Sequence, residues 1–222
     1  MEKDHLVDKV DTRGSRALSF WTTWSKKALQ MKIQWQPTAP RSGWQGNIDR
    51  FIGPGASKAE AWLQLVVPLL AAISVWIWAP SWGPLQLLLA IVLAADLAGG
   101  IVTNATASAK RWYHRPGQGK RQHMSFIALH FIQLTLFSIV FMDFDLAWIA
   151  ASGGYLLLAS WTIVSVPLYL QRPIAMTLFA VSVMLSEYWL TVPAGLEWFL
   201  PLFYLKLLLS HLLKEAPFSP DS

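Results

Sequence analysis

Beyond residue 59 the chain alternates long apolar runs with short polar clusters. The runs fall over residues 60–79, 85–104, 123–142, 146–171, 173–191 and 196–213. Each is near the roughly 20 residues of helix that cross a hydrocarbon core about 30 Å thick. Turn chemistry separates them: Pro80 with Trp82-Gly83-Pro84, Pro116-Gly117-Gln118-Gly119, Asp143-Phe144-Asp145, Arg172-Pro173, and Pro193-Ala194-Gly195. The pattern predicts an all-α integral membrane protein: a bundle of about six transmembrane helices over residues 60–214, followed by a short tail, 215–222. The fourth run is long enough to tilt.

The first 59 residues differ. Ala17, Trp21, Trp24, Ala28, Met31 and Trp35 recur at steps of three and four, which places them on one helical face. Lys26, Lys27 and Lys32 fall elsewhere around that helix. An aromatic face beside lysines predicts an amphipathic segment over 17–35 lying on an anionic leaflet or packed on the ends of the spans. Residues 37–55 hold Pro37, Pro40, Gly43, Gly46, Gly53, Pro54 and Gly55, and predict a linker rather than a helix. The mixed-charge start lacks an apolar core, so no cleavable signal peptide is expected.

Composition agrees with a membrane environment. Of 222 residues 54% are hydrophobic and only 14% charged, against about a quarter in soluble domains; mean hydropathy is +0.38. Thirteen tryptophans suit a chain anchored at two interfaces. The absence of cysteine excludes a disulfide framework, a thiolate metal site and a cysteine nucleophile.

The net charge of +5 gains meaning from its placement. Lys110, Arg111, Arg115, Lys120 and Arg121 occupy the loop after the second run, Arg172 the turn after the fourth, and Lys214 the tail. The three opposite turns carry Asp143, Asp145 and Glu197 and no Lys or Arg. The positive-inside rule therefore puts both termini in the cytoplasm, as expected of a bacterial inner-membrane protein. Anionic lipid head groups are the expected contacts of Lys26, Lys27, Lys110 and Arg111. Basic residues spread over membrane-adjacent segments, rather than one folded face, argue against nucleic acid.

Ionisable residues inside apolar runs cost about 2.5–3.5 kcal/mol on insertion scales and so mark candidate chemistry. Asp96 shares a helical face with Gly100, Thr103 and Asn104, while Gly99 and Gly100 remove side chains beside it. His123 and His130, seven residues apart, approach from the third run, and the sixth brings Lys206 and His211. Lys206 on its Leu-rich helix reads as a side chain that snorkels to the boundary.

Four interpretations follow. Asp96 and His130 pair simply to fix packing, or act together as a catalytic base. In the catalytic form Asp96, His123 and His130 hold a divalent metal, with Asn104, Arg111, His114 and Arg115 contacting a phosphate-bearing or lipid-like substrate. Alternatively Asp96 is the coupling residue of a proton- or cation-driven transporter. A bis-histidine haem between His130 and His211 is the fourth. No HExxH or GxSxG pattern singles out a reaction.

Overall fold

The computed structural model describes residues 32–219. The helices belong to one unit, Trp35–Pro217. Outside it, strand β1 (Lys32–Ile33) pairs antiparallel with β2 (Phe218–Ser219), Lys32 opposite Ser219. The amphipathic helix expected over 17–35 lies mostly outside the described residues; its described end is extended, not helical.

The expected linker contains a helix, α1 (Gly43–Ile52). Its glycines flank the helix more than they interrupt it. Gly43 and Gly53 take φ of +65° and +88° at its two ends, a region open to glycine. Asp49 accepts from the backbone N–H of Arg41 at 2.8 Å and from its guanidinium at 2.7 Å, which ties the incoming chain onto the first turns.

Helix α2 (Lys58–Trp78) starts with a capping box: Ser57 Oγ accepts from Glu60 N–H at 3.2 Å, and Glu60 Oε2 accepts from Ser57 N–H at 2.7 Å. No residue of α2 is buried, and its packing is chiefly against α3 (Pro84–Ala105). Gly99 on α3 lies beside Pro68 of α2, and an added Cβ there would stand 3.2 Å from the proline ring.

The basic loop is itself partly helical. Thr106 caps α4 (Ala107–Tyr113) by accepting from Ala109 N–H at 3.2 Å. The next apolar run forms α5 (Lys120–Leu129) and α6 (Phe131–Phe141), a 22-residue span interrupted at His130. There the imidazole Nδ1 takes the Phe126 carbonyl at 2.8 Å, and the His130 N–H turns to Ile127 O at 3.1 Å. A side chain that captures the i−4 carbonyl competes with the helical ladder and breaks it locally.

Asp145 caps α7 (Leu146–Ser165), accepting from Trp148 N–H at 2.9 Å. The expected boundary near Arg172-Pro173 is corrected: α7 stops at Ser165, and α8 (Leu168–Tyr188) runs through Pro173. Val166 takes ψ of 156° because a residue before proline is driven out of the helical region, and Pro167 then starts α8. Gly153 of α7 receives the ring of Phe131; an added Cβ would lie 2.3 Å from it, so the missing side chain lets α6 approach closely.

The last apolar run is shorter than expected and differently wound. Helix α9 (Phe199–Tyr204) passes into a π-helical segment, Leu205–His211. Together they span 13 residues, less than the roughly 20 that cross a hydrocarbon core as an α-helix. This short helix is the centre of the bundle. Phe199, Phe203, Tyr204, Leu207 and Leu208 are fully buried among α3, α7 and α8, and Phe199 stacks on Phe137 at 4.0 Å. Among the described residues the chain is thus nearly all helical, with five helices long and apolar enough to cross a membrane and a sixth, short apolar helix in their midst.

Candidate functional site

The interior polar site forms where α3, α6 and the π-helical segment meet. Asp96 Oδ2 accepts from Lys206 Nζ at 2.6 Å and from Gln133 Nε2 at 2.5 Å. The lysine is almost entirely buried, while the Asp96 side chain keeps 37% of its surface. Gly100, one turn along α3 from Asp96, is the floor on which the lysine stem lies: an added Cβ would stand 2.4 Å from Lys206 Cε. Lys206 is therefore an ion-pair partner and not a snorkelling residue. Lone Asp and Lys residues on two otherwise apolar helices, with a glycine beside the aspartate, were the sequence signals for this pair. Which helices would meet was the missing knowledge.

The second cluster sits at the basic end of the bundle. His123 Nδ1 and His211 Nε2 are 3.1 Å apart, which requires one to carry the proton. His114 Nε2 lies 3.0 Å from the His211 carbonyl, so it donates there. The His114 and His123 rings stand 4.7 Å apart. Phe126 stacks on His211 at 3.9 Å and meets His130 in a tilted contact at 4.6 Å. A haem between His130 and His211 would have to take the place of that ring. The His123 and His211 rings meet edge to face at 5.1 Å. His211, His123 and His114 thus run ring to ring at the basic end, and Phe126 joins His130 to them. Among the described residues, two buried atoms here lack hydrogen-bond partners, Gln133 Oε1 and His211 Nδ1.

The expected set of site residues is only partly gathered. Asp96 bonds neither His123 nor His130, and among the described residues no group of three His, Asp or Glu could hold a metal. Asn104 is buried in the last turn of α3, whereas its neighbour Thr103 donates to Gln64 of α2 at 3.2 Å. Arg115 folds back over Trp112, its guanidinium 3.6 Å from the ring centre and donating to the Trp112 carbonyl. Arg111 is 5% exposed, and its Nε and Nη1 meet no acceptor among the described residues. The Asp96 carboxylate is held by Gln133 and Lys206 and by neither arginine.

Lys110 likewise serves the fold instead of a lipid surface. Its ammonium donates to the carbonyls of Ser210 at 2.7 Å and Leu213 at 2.6 Å, closing the end of the last helix. Burial lowers its pKa to about 8, with Glu215 at 3.6 Å opposing the shift. Burial, then the neighbouring His123 and Lys110, hold His114 down at about 3. A cavity of about 290 Å³ opens elsewhere, among Ser74, Trp78, Trp82, Gly195 and Trp198, and among the described residues no titratable side chain lines it. No family model matches the chain, and neither a curated protein nor a solved structure is significantly similar to it.

Proposed function

We propose that the chain is a proton-coupled transporter of a bacterial cytoplasmic membrane, with the Asp96–Lys206 pair as its coupling site. The short central helix is the sixth span in this reading, and both termini are cytoplasmic. Support for the orientation comes from charge: α4, Lys120, Arg121 and Arg172 gather at one end, while Asp143, Asp145 and Glu197 occupy the other with no Lys or Arg. A reporter fused after Ser222 that worked only outside the cell would overturn it.

The observation that carries the function is the ion pair between an aspartate and a nearly buried lysine on two apolar helices. Chains of Asp and His inside membranes are the usual material of proton relays. A proton arriving at the Asp96 carboxylate cancels its charge and frees the Lys206 ammonium. The free ammonium is then a buried, unpaired charge, and that imbalance drives the helices to a second arrangement. The buried Gln133 amide keeps the carboxylate oriented throughout. A metal-dependent hydrolase draws no support from these residues, since Asp96, His123 and His130 do not gather as ligands.

The test is proton uptake into liposomes carrying the purified protein and a luminal pH dye, driven by an imposed potential. Wild-type protein acidifies the lumen, and the paired substitution Asp96→Asn with Lys206→Met abolishes uptake while the protein stays folded. Uptake at the wild-type rate by that folded double variant would make the pair a packing lock and remove the proposal.

A further inference from the structure

We propose that α1 is an interfacial anchor, seated in the head-group layer at the basic end with Trp44, Ile48 and Phe51 turned into the acyl boundary. The inference rests on the membrane reading above. At about 100° per residue these three positions share an arc of about 60°. They are 70%, 42% and 68% exposed, while Gly46 and Asp49, on other faces of the helix, are buried against the protein. A helix that buries its carboxylate and exposes its tryptophan and phenylalanine is inverted for water and correctly faced for lipid.

The helix is fixed in that pose. Its last carbonyls are taken by protein donors: Tyr113 Oη donates to Phe51 O at 2.9 Å, and Ser108 Oγ to Ile52 O at 3.3 Å. Gly53 allows α4 to come so close that an added Cβ would lie 2.4 Å from Ala109 N and Ser108 C. The apolar surface also continues. Helix α2 starts at Lys58, five residues past Gly53, and its first turns expose Trp62, Leu63 and Leu65. Arg50 and Lys58, both exposed, border the junction and suit anionic head groups. A lipid surface is the occupant that joins both faces, whereas a protein partner would have to cover α1 and stop where α2 enters the bilayer.

The chain has no cysteine, so single-cysteine variants of the full protein can carry a nitroxide at one position each. Ile48→Cys and Phe51→Cys report the outward face, Arg50→Cys another face, and Leu70→Cys the middle of α2. In phosphatidylcholine–phosphatidylglycerol vesicles the labels at 48 and 51 collide with oxygen several-fold more than with a water-soluble nickel complex, at a depth shallower than 70. The label at 50 shows the reverse. Labels at 48 and 51 as open to nickel as the one at 50, with 70 deep in lipid, would overturn the anchor alone. Spin–spin coupling between labels at 51 on separate molecules would assign the face to a second copy and also overturn it. Nickel access at 70 would instead defeat the membrane reading.

Discussion

Cutting the Asp96–Lys206 pair from one side and then from both tests the centre of the structure. In Lys206→Met the carboxylate keeps Gln133 but loses an ammonium at 2.6 Å. Breaking a buried pair from one side costs about 3–5 kcal/mol. Because 37% of the Asp96 side chain is exposed, we discount this to about 2–4 kcal/mol. Asp96→Asn leaves a nearly buried ammonium facing a neutral amide, with a loss of similar size. The double variant removes both charges and keeps the volumes, so it should lie within about 1 kcal/mol of wild type. At about 2–4 °C per kcal/mol for a protein of this size, each single variant melts about 4–16 °C lower and the double variant recovers most of that. Intrinsic fluorescence of the 13 tryptophans in detergent provides the assay. If the double variant melts as low as the sum of the two single losses, the residues are not coupled and the ion pair is refuted.

Gly100→Ala should destabilise by displacing the Lys206 stem, since its Cβ would fall 2.4 Å from Cε; the loss should shrink in a Lys206→Ala background, read by the same melts. Lys110→Met strips donors from the Ser210 and Leu213 carbonyls, at about 1–3 kcal/mol for each acceptor left unpaired. Trypsin should then cut faster after Lys214. His114 has a folded pKa of about 3 against 6.5 unfolded, so the unfolded chain binds the extra proton between those values. Its contribution is complete above pH 6.5 and is lost as pH falls toward 3; His114→Gln should flatten that part of the melting-temperature profile. Lys110, with a folded pKa of about 8 against 10.5, contributes in the other window, and stability should rise from pH 8 to 10.5 and lose that rise in Lys110→Met.

The helices and most of their ends follow from local sequence. Five apolar runs became long helices because a helix in that setting needs only length and apolarity, and Ser57, Thr106 and Asp145 start their helices through their own side chains. The misplaced boundary at α8 was also a local matter, decided by Pro167 ahead of Pro173. The partner of Asp96 was a different kind of question. Periodicity reports which side of a helix is apolar, and inside a bundle every side is; it cannot say which neighbour a face meets. The tertiary structure made the short last helix central, wound its end as a π-helix, and laid Lys206 on Gly100 within reach of Asp96. It also turned His123 and His130 toward the rings of His211 and Phe126. The apolar runs alone required that their few charged residues be compensated in an apolar interior. Only packing decided by which ones, because the compensating groups lie more than a hundred residues apart in Asp96 and Lys206 and meet only once the bundle has closed.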